Sequence, residues 1–495
     1  MLKAMRGSGI LMHISSLPSE FGIGTLGREA YEFVDFLSET GQKYWQVLPI
    51  GPTAYGDSPY QSPSAFAGNP YFIDLPTLEE EGLLKREEYA SLPFGNDPDH
   101  VDFGAVYYYR QMVFNIVSER FSEEKYPEFA AFCEENKFWL DDYAIFMAIK
   151  DNNGGKCWNE FPEGLKYRKE KDLESAFQTF SNYVKKYKIL QFFFFRQWKK
   201  LKEYANSKNV KMFGDMPIYV AYDSSDVWAS TSLFELDSEL MPKRVAGCPP
   251  DAFSELGQRW GNPLYEWKKQ KDEVFSWWFD RIEHATSFFD LVRIDHFRAF
   301  ADYYAIPAGE ETAVNGEWEL GPGIEFFDKL RERIGDVNIV AEDLGMLTPA
   351  VTDLLRDTGF PGMKVLQFAF DGNDNNLYQP HNYIKNCVVY IGTHDNDTLC
   401  GWLKSARPET LMRVNKYFRV SDRREDTATE IINGALASVG NTVIITVQDL
   451  LKLGTEARMN TPATDRNNWT FRVEKDYISK IDTSYLKEAT VLYFR

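Results

Sequence analysis

The chain has 495 residues, 44% hydrophobic and 26% charged, which is the balance of a globular protein with a large core rather than of a disordered or fibrous one. Asp plus Glu number 74 against 55 Lys plus Arg, a net charge of −19, and such a field repels nucleic acid and anionic membranes. Aromatic residues reach 15%, more than a core requires, and surplus Trp and Tyr often mark surfaces that meet flat ligands.

The first stretch, MLKAMRGSGILMHISSL, does not read as a secretory signal, because its apolar run is short and broken by His13 and serines. GILMHIS (9–15) is the first of eight apolar runs that end in polar residues. The others are KYWQVLPI (43–50), VKMFGDMPI (210–218), DLVRIDH (290–296), VNIVAEDLG (337–345), GMKVLQFAF (362–370), CVVYIGTHD (387–395) and TVIITVQDL (442–450). Nearly continuous apolar runs are the pattern of parallel strands covered on both faces. Helical periodicity lies between them: 27–41, with Ala30, Phe33, Val34 and Leu37 on one face, then 107–121, 129–150, 189–205, 347–359 and 408–418. Eight strands alternating with helices predict a (β/α)8 barrel.

The spacing is uneven. Roughly 160 residues separate the second and third runs and roughly 70 the third and fourth. These gaps, about 51–209 and about 219–289, are expected to be mainly helical insertions around the carboxyl-terminal mouth of a single catalytic barrel. About 45 residues follow the eighth run, too few for a β-sandwich domain. The five cysteines are scattered without CxxC or metal-ligand spacing, which points to reduced thiols, a cytoplasmic setting and no metal.

In DLVRIDH, alternation puts Leu291, Arg293 and Asp295 on one face and Val292 and Ile294 on the other. If the β-branched pair meets the helices, Arg293 and Asp295 point into the barrel at its catalytic end. Asp215, Glu342 and Asp395, the last beside His394, close three other runs in the same way. Burying unpaired charge in apolar strands costs several kcal/mol, roughly, so four such acids argue for chemistry. Several acids with an Arg and a His, without a phosphate loop, suit retaining glycoside cleavage. One carboxylate attacks the anomeric carbon and a second, about 5 to 5.5 Å away, acts as acid and then base. Arg293 would keep the attacking carboxylate ionised.

RIDHFR, AEDLG and GTHDND resemble the barrel glycosidases of α-1,4-glucans. GDSPYQSPSAFAGNPYFID (56–74), GDMPIYVAYDSSDVW (214–228) and CPPDAFSELGQRWGNPLYEW (248–267) narrow the resemblance to glycoside hydrolase family seventy-seven, the 4-α-glucanotransferases or amylomaltases. By matching position, the resemblance implies Asp295 as nucleophile, Glu342 as acid/base and Asp395 as transition-state stabiliser. It implies that Tyr60 stacks on the sugar at the cleavage point. Ser58, Asp215, Arg293, His296, His394 and Asn460 would bind near that sugar, and Asp251, Phe253, Gln258 and Trp260 would arch over the acceptor side. No cofactor is implied. The expected partners are α-1,4-glucans such as maltooligosaccharides, starch or glycogen, with the chain a monomer or homodimer.

The third run ends GDMPIYV rather than in the Asn-His pair usual in α-amylases, and no calcium loop is visible. Ala252 stands where some members of the family carry Tyr, with Phe253 beside it. A retaining α-glucan hydrolase of the same barrel type is the alternative, since the two reactions differ only in the acceptor. A non-catalytic glucan-binding barrel would be expected to lack one of the three acids, and all three are present.

Overall fold

The computed structural model describes residues 6–95, 97–250, 254–345, 347–420, 424–464 and 466–495; the side chains of Tyr55 and 424–426 are also left aside. Eight parallel strands form the central sheet: β1 (Gly7–Leu11), β2 (Tyr44–Gln46), β3 (Lys211–Pro217), β4 (Leu291–Asp295), β5 (Ile339–Ala341), β6 (Gly362–Val365), β7 (Cys387–Tyr390) and β8 (Thr442–Thr446). Seven lie within their predicted runs, β1 starts two residues before the run 9–15 and ends inside it, and each strand is shorter than its run. Most runs continue past the ladder toward the mouth, while Asp215 and Asp295 stay in it, at the Asp215↔Arg293 and Pro217↔Asp295 rungs. Consecutive strands are neighbours, and β8 pairs with β1 from Gly7↔Thr442 to Leu11↔Thr446, so the sheet curls into a barrel. Among the described residues, only β5 and β6 lack a ladder between them.

Alternation along the strands sorts two cores. Leu11, Tyr44, Phe213, Val340, Met363, Val365, Val388, Tyr390 and Ile444 pack together inside the barrel, with Leu291 against them. Filling the interior with layers of inward side chains is how such barrels are held shut. Val292 and Ile294 face the other way, into the larger core shared with the helices. Arg293 therefore points inward, as the run predicts.

Between β2 and β3 the chain is helical, with long helices at Phe103–Arg120, Lys137–Asn152 and Ser181–Ser207. The single helix expected over 129–150 is two, Glu128–Glu135 and Lys137–Asn152, with Asn136 between them. The second gap holds helix Lys271–Phe288 and also two antiparallel strands, Arg244–Cys248 and Gln258–Pro263. Arg244–Cys248 pairs in turn with Asp302–Pro307, which pairs with Glu317–Leu320, giving a four-stranded sheet with its own small core of Val245, Tyr304, Ile306 and Ala313. This sheet joins segments before and after β4 and stands beside the mouth. No helix among the described residues is long and apolar enough to cross a membrane.

Candidate active site

The site is assembled on Arg293. Its guanidinium, 4% exposed, donates to Asp215 Oδ2 across the β3–β4 ladder and to Asp295 Oδ1 two residues on, each at 2.6 Å. The two acids differ in access: the Asp215 side chain is fully covered, whereas that of Asp295 keeps 30% of its exposure. A buried cation between two carboxylates offsets their desolvation, and the open member of the set is the one a ligand can reach.

Tyr60 reaches the cluster from the loop after β2. Its hydroxyl donates to Asp215 Oδ2 at 2.7 Å and lies 2.9 Å from His394 Nε2. The phenol has one proton, spent on Asp215, so His394 Nε2–H is the donor in the second bond. Burial, then the Asp215 charge, pushes the Tyr60 phenol well up, which keeps it a donor. The Tyr60 loop is pinned from outside by the Ala65 N–H, which donates to buried Asp226 at 2.8 Å.

Asp395 is held open beside this group. Asn460 Nδ2 donates to Asp395 Oδ1 at 2.6 Å, and Arg458 donates to the Asp395 carbonyl at 2.6 Å. The GTHDND turn is fixed by its own side chains, with Asn396 Oδ1 accepting from the Thr393 N–H and hydroxyl. His394 Nε2 is 3.4 Å from Asp395 Oδ2; His394 is buried at 4% and Asp395 exposed at 43%.

Glu342 stands one residue beyond β5. Its Oε1 accepts from the Leu344 N–H at 2.7 Å and its Oε2 from the His296 N–H at 2.8 Å. His296 follows Asp295 and takes a left-handed conformation, φ 51°, that a non-glycine residue seldom adopts. That twist presents its N–H to Glu342, and strain of this kind gathers where a site needs it. Burial first, then the nearby Asp295 charge, raises the Glu342 pKa to about 7, opposed by Arg293. A carboxyl group made less acidic beside a second, open carboxylate is the arrangement that can divide acid from nucleophile.

A family model described as 4-alpha-glucanotransferase matches residues 12–478. The chain belongs to the 4-alpha-glucanotransferase family. The 4-alpha-glucanotransferase of Clostridium butyricum is 47% identical over 486 residues, covering 98% of this chain and 100% of that one. Its counterpart from Thermus thermophilus is 47% identical over 478 residues, 94% of this chain and 95% of that one. The amylomaltase of Streptococcus agalactiae, solved in complex with acarbose, superposes with a TM-score of 0.96 at 42% identity over 99% of both chains. The chain is accordingly a 4-alpha-glucanotransferase, and these relatives do not favour the hydrolase alternative.

Of the residues singled out in the sequence, Tyr60, Asp215, Arg293, Asp295, Glu342, His394, Asp395 and Asn460 form one connected cluster. His296 joins it through its backbone, while its ring lies edge-on to Trp260 at 4.8 Å with Nε2 buried and unpartnered. Trp260 is steadied by the Gln258 side chain, whose Oε1 accepts from the indole N–H at 3.1 Å. The Ser58 hydroxyl accepts from the Tyr60 N–H at 3.2 Å and so shapes the loop. Asp251 and Phe253 lie outside the described residues. Trp469 and Arg458 were not foreseen: Trp469 packs against both Tyr60 and His394, at 5.6 and 5.9 Å. Their segment, 455–473, has no periodicity and no acid in an apolar run, so the only signal near them was Asn460, two residues after Arg458. His13 is buried beneath the site and its pKa falls to about 3, by burial and then by His394. Among the described residues, no group of His, Cys, Asp and Glu is arranged as a metal site.

Proposed function

We propose that this 4-alpha-glucanotransferase works by double displacement, with Asp295 as nucleophile, Glu342 as acid/base and Asp395 as stabiliser of the sugar cation. A carboxylate oxygen of Asp295 bonds to the anomeric carbon of an α-1,4-glucan donor. The bond from that carbon to the 4-oxygen of the departing chain breaks, and Glu342 gives that oxygen its proton. An acceptor glucan then enters, and Glu342 takes the proton of its 4-hydroxyl. That oxygen displaces Asp295 and restores the α linkage after two inversions.

The observation that carries the reading is the pairing of an Arg293-bound, accessible Asp295 with a Glu342 whose pKa is raised to about 7. Tyr60, Trp260 and Trp469 supply aromatic surface for sugar rings. Asp215 and Arg293 set charge and geometry, and Ser58, His296, His394 and Asn460 line the cleavage subsite. Asp251, Phe253 and Gln258 complete the acceptor side. Because one glucosidic bond replaces another, transfer depends on acceptor binding and on keeping water badly placed. The same reading takes 51–209 and 219–289 as the insertions that shape the groove, and the cytoplasm as the working compartment.

Incubation with maltotriose tests it. The expected result is glucose plus a ladder of longer maltooligosaccharides at constant total reducing ends. Rising reducing ends without longer products would make the chain a hydrolase.

A further inference from the structure

One gap in the barrel lies beside the acid/base. Seven neighbouring strand pairs are laddered, and β5 and β6 are not. Among the described residues, a single backbone bond crosses this gap close to the strand ends, from the Ala341 N–H to the Pro361 carbonyl at 2.9 Å. The next donor on β6 is the Met363 N–H. It goes to a side chain, Asp343 Oδ1, at 2.6 Å.

Asp343 is 5% exposed, and its other oxygen lies 3.9 Å from Lys364 Nζ. Gly362 makes room for this carboxylate. A Cβ built at 362 would sit 2.5 Å from Asp343 Oδ2 and 2.7 Å from its Cγ, closer than packed atoms tolerate. The groups that aim Glu342 flank Asp343. The Glu342 N–H donates to the Ile294 carbonyl at 3.1 Å, and the Leu344 N–H donates to Glu342 Oε1 at 2.7 Å. Holding the Asp343 side chain therefore fixes a three-residue segment at both ends of which Glu342 is tied.

We propose that Asp343 is a positioning residue for Glu342. Its carboxylate replaces a strand hydrogen bond to the Met363 N–H, and that bond holds the 342–344 segment so that the Glu342 carboxyl meets the leaving oxygen. The inference rests on the reading of Glu342 as the acid/base. A misplacement of even an ångström in such a group costs about a hundredfold in rate.

The test uses three variants, Asp343→Ala, Asp343→Asn and Gly362→Ala, with two donors. Maltotriose needs a proton on its leaving oxygen; α-maltosyl fluoride does not, and its first-turnover fluoride release reads the glycosylation step. Asp343→Ala is expected to lower kcat on maltotriose about tenfold to a hundredfold with little change in KM. It should lower first-turnover fluoride release far less. Asp343→Asn keeps an acceptor oxygen and should retain most activity. Gly362→Ala displaces the same carboxylate from the other strand and should reproduce the donor-dependent loss. Equal losses on both donors, or an Asp343→Asn variant as damaged as Asp343→Ala, would overturn the proposal. If Asp343→Ala does not fold, Gly362→Ala and Asp343→Asn decide by the same criteria. Glu342→Gln run in parallel separates the two ideas. If it too fails equally on both donors, the acid/base reading is wrong; if it alone shows donor dependence, only the positioning role falls.

Discussion

The two halves of the proposed chemistry stand on unequal seams. Asp295 closes β4, whose ladder with β3 runs unbroken over five rungs from Phe213↔Leu291 to Pro217↔Asp295. Glu342 stands beyond β5, whose far edge has no ladder and is tied by one backbone bond and one aspartate. The proposed nucleophile is thus fixed by main chain and by the buried Arg293 guanidinium, the proposed acid/base by side chains and by N–H groups of neighbouring loops. A carboxylate that attacks must stay at one distance and ionised. A carboxyl that shuttles a proton gains from a drier setting that raises its pKa.

The sharpest way to break the comparison is to remove the attacking group. Asp295→Asn should lower transfer by more than about ten-thousandfold with the fold intact, as removal of a nucleophile does. It should also lower the Glu342 pKa from about 7, because it deletes a like charge while Arg293 remains. Carboxyl titration by NMR in that variant checks the second half. An unchanged value would mean that burial alone sets it.

The β3–β4 seam is tested next through stability. Arg293→Met leaves the fully covered Asp215 without its cation and should cost about 3–5 kcal/mol. Adding Asp215→Asn should recover much of that loss, and thermal unfolding of the single and double variants measures the coupling. Full additivity would show that the pair is not the strut described here.

A smaller effect concerns the pH dependence of stability. Glu342 is raised above its unfolded value, so the folded state binds the extra proton between roughly pH 4.5 and 7. Stability from this group falls as pH rises through that window, the opposite of an ion-paired acid. Glu342→Gln should therefore raise Tm at pH 8 relative to the parent and flatten its slope between pH 5 and 7. The smallest expected change is from Trp469→Phe. It keeps a ring against Tyr60 and His394 and should raise KM for maltotriose a few-fold with kcat nearly unchanged.

Much of this was legible because the barrel is written in its strands. Seven apolar runs each hold one strand and the first overlaps one, and Arg293 and Asp295 interrupt a run that otherwise reads as core. The small sheet was not legible. RVAGC and QRWGNP carry Gly and Pro and no sustained alternation, and their partners lie beyond β4, so no local signal shows the pairing. Asp343 escaped notice for a related reason: a strand continued through AED would turn it toward the helices. Instead the chain leaves the ladder at Ala341, and the carboxylate turns to β6. Trp469 comes to the site only because the loop after β8 folds back over the mouth.

The division between the two seams is tested most directly by trapping the intermediate. Glu342→Gln, incubated with α-maltosyl fluoride, should accumulate a covalent maltosyl-enzyme, because glycosylation needs no acid and the following step lacks its base. Proteolysis and mass spectrometry should find the sugar on the peptide that holds Asp295. A label on Asp215, Asp395 or any other residue, or fluoride release without a label, would contradict the account.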